Sequence, residues 1–256
     1  QADEEGYTPF FLACQENKMD VVNVLLVREE IQINQANNNG ATPLLVASEN
    51  GWVNVVNALL ARTEIQINQG DKEGYTPLHT ASQNGHVKVV NALLASEEIE
   101  INQADNEGST PLYTASQHGH VNAVNALLAS EEIEINQENN EGTTPLLMAC
   151  QENHLKVVVA LLTQCGIAVN QPTSDGSTPL IMASYCGNSS VVEQLLLSDT
   201  ISTTDTFHGK TAYDCANAGY RVASCFYLDE QIDENGRVTC QRMIKAFCEK
   251  KSQPKT

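Results

Sequence analysis

Aromatic side chains are scarce in this sequence, at 5%, with Trp52 the single tryptophan. A core built on large rings is thereby excluded, and small and aliphatic side chains must fill it. Basic residues are also few, 14 against 32 acidic, for a net charge of −18. That balance disfavours nucleic acid and anionic membrane and favours basic or neutral protein partners. The deficit is uneven, since residues 237–256 carry +5 and the rest therefore −23. No apolar run approaches the length of a membrane helix. The eight cysteines lack CxxC spacing and paired histidines, which argues against zinc. No Gly-rich phosphate loop and no Ser/His/Asp set is found, so neither a cofactor, a small-molecule substrate nor catalysis is expected. Asp233-Glu234-Asn235-Gly236 fails as a calcium loop, because Gln231 and Arg242 would fall at its first and twelfth positions.

What the chain does have is a period. Thr-Pro recurs at Thr8, Thr42, Thr76, Thr110, Thr144 and Thr178, each step 34 residues. Gly6, Gly40, Gly74, Gly108, Gly142 and Gly176 keep the step, as do Asn34, Asn68, Asn102, Asn136 and Asn170. A degenerate seventh copy begins at Gly209-Lys210-Thr211-Ala212. Within a copy, Thr suits a helix cap and Pro the first helical position. Leu78 and Ala81 continue an apolar stripe, and Gly85 closes that helix. Val89, Val90, Leu93 and Leu94 then face inward from a second helix. Gln103 to Gly108 is a polar, turn-prone finger. Helices this short are marginal alone, so copies must stack to form a core.

Gly74-Tyr75-Thr76-Pro77-Leu78-His79, followed by Ala81, Gly85-His86, Val89-Val90, Leu93-Leu94 and Ile101-Asn102, resembles the ankyrin repeat. The resemblance implies an all-α, ankyrin-type helical repeat solenoid with short turn or hairpin fingers. It covers residues 1–220, in copies of about 1–34, 35–68, 69–102, 103–136, 137–170, 171–203 and 204–220. Two departures stand out. The period is one residue longer than the usual 33, and only Gly166 keeps a glycine after the second helix, which suggests a different ending there. The histidine of the tetrapeptide survives only as His79, with Phe11, Leu45, Tyr113, Leu147 and Ile181 in its place.

The ends carry expectations of their own. The chain begins at a repeat boundary without a methionine, as a piece of a longer protein would, and Phe10 and Phe11 have no polar cap before them. Residues 221–256 form an expected terminal cap, or alternatively a partner-binding helix or the start of a linker. In it Asn235-Gly236 would join two short strands, and Cys240, Met243, Ile244 and Phe247 would line a basic amphipathic helix.

His86, His120 and His154 share a register with Lys18, Trp52 and Asn188 and are expected to be structural turn residues, with Trp52 exposed. Cys14 and Cys150 share one with Ser48, Ser82, Ser116 and Ser184, which asks for a small side chain. Free thiols in a reducing, cytoplasmic compartment are expected; for a secreted effector that compartment would be a host cell's. The acids Glu29-Glu30, Glu64, Glu97-Glu98 and Glu131-Glu132 form a ladder along one edge, read first as solvation.

The family binds partners along its concave side with fingers and first helices. Carried over residue by residue, the fingers supply Glu4, Glu5, Asn38, Asn39, Lys72, Glu73, Asn106, Glu107, Glu141 and Asp175. The first helices supply Glu16, Glu49, Gln83, Tyr113, Gln117, His118, Gln151, Glu152 and Tyr185, with Tyr7 and Tyr75 as aromatic anchors between. Such a strip suits a basic or polar protein or extended peptide. The expected function is a protein–protein interaction scaffold that is not an enzyme. Its alternative is the substrate-recruiting arm of a larger multidomain enzyme or effector. The Ile-x-Ile-Asn asparagines also resemble those that are hydroxylated in this family, against the simpler reading that they brace the turn.

Overall fold

Each Thr-Pro pair starts a helix in the same way. In the computed structural model, which describes residues 2–28, 30–218 and 234–251, the six threonine hydroxyls accept from the N–H three residues on, at 3.0–3.4 Å. Proline takes the first helical position in every case. The first helices are α1 (Pro9–Gln15), α3 (Pro43–Glu49), α5 (Pro77–Gln83), α7 (Pro111–Gln117), α9 (Pro145–Gln151) and α11 (Pro179–Cys186). The second helices are α2 (Met19–Leu26), α4 (Val53–Leu60), α6 (Val87–Leu94), α8 (Val121–Leu128), α10 (Leu155–Leu162) and α12 (Ser189–Leu196). α13 (Ala212–Ala218) and α14 (Glu234–Lys251) follow. The described residues hold no strand, only one bridge between Phe207 and Lys210.

The chain divides into two compact units, Gln1–Ile135 and Asn136–Thr256. In the first, α1, α3, α5 and α7 pack in sequence, and α2, α4, α6 and α8 pack behind them. Val55, Val56, Leu59, Leu78, Val89, Val90, Leu93, Leu112, Val124 and Leu127 are fully buried between copies. In the second unit α9, α11 and α13 repeat the arrangement, with α10 and α12 behind.

The expectation for Gly166 fails. α10 ends at Leu162, in the register of Leu60 and Leu94, because its stop is set by packing and not by the glycine four residues later. Between first and second helices, Gly51, Gly85, Gly119 and Gly187 do take positive φ, and Asn17 and Asn153 substitute.

The expected hairpin at Asn235-Gly236 also fails. Both residues lie in the first turn of α14, where Asn235 is exposed and Gly236 buried. Residues 227–233 of that expectation lie outside the described residues. The amphipathic helix does form, and α14 packs on α12 and α13. Its Arg237 Nε donates to the Tyr185 carbonyl at 2.7 Å. In earlier copies that same register of carbonyl, Gln15 or Glu49, receives Trp52 or His86. Counted from Arg237, buried Cys240 and Ile244 match Val55 and Leu59. α14 is thus the second helix of the seventh copy, which runs past residue 220.

Candidate protein-binding surface

Two asparagine registers tie neighbouring copies together. Asn34, Asn68 and Asn102 each donate from Nδ2 to the carbonyl of Glu64, Glu98 or Glu132 in the next copy, at 2.7 Å. Each Oδ1 accepts from the N–H of Gln66, Glu100 or Glu134, at 2.9–3.0 Å. Asn136 and Asn170 do the same in the second unit, at 2.7–2.9 Å. Both amide atoms are engaged, as the bracing role requires. Asn68→Ala removes two hydrogen bonds and is expected to lower the unfolding free energy by about 1–3 kcal/mol in urea titrations. It should also speed hydrogen exchange at the Glu100 amide.

The fingers are tied in turn. Asp71 accepts on Oδ1 from the N–H groups of Glu73 and Tyr75 at 3.0 and 2.9 Å, and its own N–H donates to the Tyr75 carbonyl at 3.1 Å. Asp3, Asn37, Asp105 and Asn139 build the same bracket at 2.8–3.0 Å. Neighbouring tips are linked through main chain: Asn38 N–H to Glu5 carbonyl, Lys72 to Asn39 and Asn106 to Glu73, at 2.9–3.0 Å. The Asn38 and Asn106 amides donate to the carbonyls of Glu4 and Lys72 at 2.9 and 2.8 Å, so these two side chains serve the fold.

This leaves a defined set of exposed side chains. In the first unit Glu4, Glu5, Asn39, Lys72, Glu73 and Glu107 stand out at the tips, and Glu16, Glu49, Gln117 and His118 at the ends of the first helices. His118 Nδ1 also lies 2.9 Å from the Thr114 carbonyl, capping its own helix. In the second unit Glu141 and Asp175 are exposed, while Gln151 and Glu152 are half-buried and hydrogen-bonded to each other at 3.1 Å. Gln83 is half-buried as well.

Two of the expected contact residues are internal. Tyr113 occupies the register of His79 and, like it, is buried. Tyr185 is buried under α14, with the Arg237 guanidinium 5.0 Å over its ring. Trp52 likewise is half-buried, because its Nε1–H donates to the Gln15 carbonyl at 2.9 Å. Glu29 lies outside the described residues.

The anchors Tyr7 and Tyr75 are half-buried and braced. Tyr7 meets Phe11 at 5.1 Å between ring centres, and Tyr75 meets His79 edge-on at 5.8 Å. Burial, then the charges of Asp105, Glu107 and Asp71, push the Tyr75 phenol above its ordinary value, so it stays a hydrogen-bond donor. Burial also raises the Asp71 carboxyl, against its backbone hydrogen bonds.

His79 is hydrogen-bonded through both ring nitrogens. Its ring nitrogens lie 2.8 Å from Thr76 Oγ1 and 2.9 Å from the Ser109 carbonyl. Burial holds its pKa below the ordinary 6.5, against the pull of the Ser109 carbonyl and of Asp105 and Asp71. The unfolded chain therefore binds the extra proton more readily, and stability falls as pH drops below 6.5. Between about pH 7.5 and about pH 5.5, the wild-type urea midpoint should fall more than that of His79→Leu.

No group of three or more His, Cys, Asp or Glu able to hold a metal occurs among the described residues. No disulfide occurs among the described cysteines, and burial pushes the thiols of Cys14 and Cys215 up to about 12 and about 11. Such thiols are poor nucleophiles. No described helix is long and apolar enough to cross a membrane.

Comparison with known families decides the class. The family description Ankyrin repeats (3 copies) matches residues 1–71, 63–139 and 131–207. The chain belongs to the ankyrin repeat family. Among solved structures it is similar to the ankyrin repeat domain of Bcl-3, described as a unique member of the IkappaB protein family. The two share 25% identity and a TM-score of 0.72, over 83% of this chain and 95% of that one. No curated protein sequence matches. Ankyrin repeats are in general protein–protein interaction modules, and the fold is typically a scaffold without catalytic activity.

Proposed function

We propose that this ankyrin array binds a basic or polar protein segment across its fingertips and the ends of its first helices, in a cytoplasmic setting. The observation that carries this is a division of labour at the tips. Main-chain groups and the asparagine amides hold finger to finger, whereas the carboxylates of Glu4, Glu5, Glu73 and Glu107 make no hydrogen bond or ion pair with the described chain. These four fingertip carboxylates are exposed and so are left for a partner. Tyr7 and Tyr75 add half-buried rings beside the acids, pre-ordered by Phe11 and His79.

Long-range attraction of this kind raises the association rate and is screened by salt. Reversing Glu4, Glu5, Glu73 and Glu107 to lysine is expected to slow association with the partner at least tenfold and to flatten its salt dependence. The measurement is stopped-flow at low and physiological ionic strength. Reversing Glu97, Glu98, Glu131 and Glu132 changes the net charge equally and should leave the rate within about twofold. Equal losses in both variants would contradict the assignment to the fingers.

A further inference from the structure

The second copy supplies its own example of what fits at the end of a second helix. Arg62 reaches back to the copy before it. Its Nη1 donates to the carbonyl of Leu26, the last residue of α2, and its Nη2 pairs with the Glu64 carboxylate at 2.6 Å. A helix C-terminus carries partial negative charge on its unpaired carbonyls, so a cation is favoured there. The planar guanidinium can serve a carbonyl and a carboxylate at once, because its N–H donors diverge in a fixed fork.

The next two copies keep the acceptors and lose the arginine. In the register of Leu26, Arg62 and Glu64 stand Leu60, Ser96 and Glu98, and then Leu94, Ser130 and Glu132. Serine is too short to reach back, and the Ser96 and Ser130 hydroxyls instead accept from the N–H groups of Glu98 and Glu132 at 3.3 Å. The Leu60 and Leu94 carbonyls, which end α4 and α6, have no partner among the described residues. Space opens at both places. A cavity of about 320 Å³ is lined by Leu60, Ser96 and Glu98, and one of about 560 Å³ by Leu94, Ser130 and Glu132. Half-buried Ile65 and Ile99 give each an apolar wall, which suits the methylene stem of a long cationic side chain. Ser96 and Glu97 border both cavities, so the two adjoin.

We propose that these two cavities form a paired site for arginine side chains of an extended protein segment, each guanidinium taking the arrangement that Arg62 takes within the chain. One bridges the Leu60 carbonyl and Glu98, the other the Leu94 carbonyl and Glu132. The spacing narrows the ligand further. Packed helices lie about 8–10 Å apart, and α4, α6 and α8 pack in sequence. A polyproline II segment advances about 9 Å per turn of three residues and returns to the same face. The fitting segment therefore carries arginines three residues apart. This site is at the ends of the second helices and takes a segment other than the fingertip partner, so it does not rest on the function proposed above.

The test is an NMR titration of the whole chain with the capped peptide Arg-Pro-Pro-Arg, read at the backbone carbonyl carbons that end the second helices. Leu60 and Leu94 should show saturating shifts, and Leu26, already occupied by Arg62, should not. Arg62→Ser should add a saturating shift at Leu26, because it gives that position the pattern of the next two copies. Ser96→Arg together with Ser130→Arg should fill both cavities from within and weaken peptide binding at Leu60 and Leu94 by about tenfold or more. The peptide Lys-Pro-Pro-Lys, of equal charge, should bind about fivefold more weakly, for want of the fork. Equal affinity for the two peptides would overturn the proposal. So would shifts at Leu26 of the unsubstituted chain equal to those at Leu60, or binding that persists in the Ser96→Arg, Ser130→Arg chain, since each would mean diffuse attraction to an acidic surface. Shifts confined to the Glu73 and Glu107 amides would also overturn it, and would give the peptide to the fingertips.

Discussion

Leu93→Ala is expected to cost about 2–5 kcal/mol in unfolding free energy, from lost apolar burial plus the cavity left behind. Leu93 is fully buried on α6, which packs against α5 of its own copy and against α4 and α8 on either side. With helices packed on three sides, the site has little freedom to collapse. Whole domains are stable by only about 5–15 kcal/mol, so this is a large fraction of the total. Because a stack is held mainly by nearest-neighbour interfaces, the loss should show first around residues 53–60, 87–94 and 121–128. Urea unfolding followed by hydrogen exchange would read both the size and the place. Val24→Ala, at a position 59% exposed, is expected to change stability by less than about 0.5 kcal/mol.

Gly74→Ala should be strongly damaging to the fingers. Gly74 has φ near +86°, a region that costs a non-glycine residue about 1–3 kcal/mol. An added Cβ would also lie 2.9 Å from the Asn106 backbone nitrogen and 3.0 Å from the Asp105 Cα. Neither neighbour is the loose end of a side chain. The Asn106 N–H bond to the Glu73 carbonyl runs through the same gap, so the third and fourth fingers should part together. Thermal unfolding is expected to drop by about 5–10 °C. At Gly166, with φ +82° but open space around the Cβ, only the conformational part of the penalty applies.

Features that repeat along the chain were legible in the sequence, and features made by one copy's contact with another were less so. The Thr-Pro caps, the glycines and the inward Val and Leu positions follow from local chemistry that each copy restates. Tyr113 was misjudged because an aromatic side chain suggests an interface, although its register with His79 already placed it inside. Trp52 seemed free because its chemistry gives no sign of the Gln15 carbonyl 37 residues away that receives its N–H. For Tyr185 the obstacle was α14, which closes the seventh copy only after an interval, residues 219–233, that breaks the period. The bracket at Asp3, Asn37, Asp71, Asp105 and Asn139 did have a signal, an Asx residue recurring every 34 positions five before each of the first five Thr-Pro pairs. It went unread because polar finger residues look interchangeable until their hydrogen bonds are seen.

The most direct test of where this array binds is hydrogen exchange on the chain with and without its captured partner. Added protection should fall at the finger amides of residues 71–76 and 105–110 and at the first-helix ends near Glu49, Gln83 and Gln117. Protection confined instead to residues 96–100 and 130–134, at the far ends of the second helices, would contradict it.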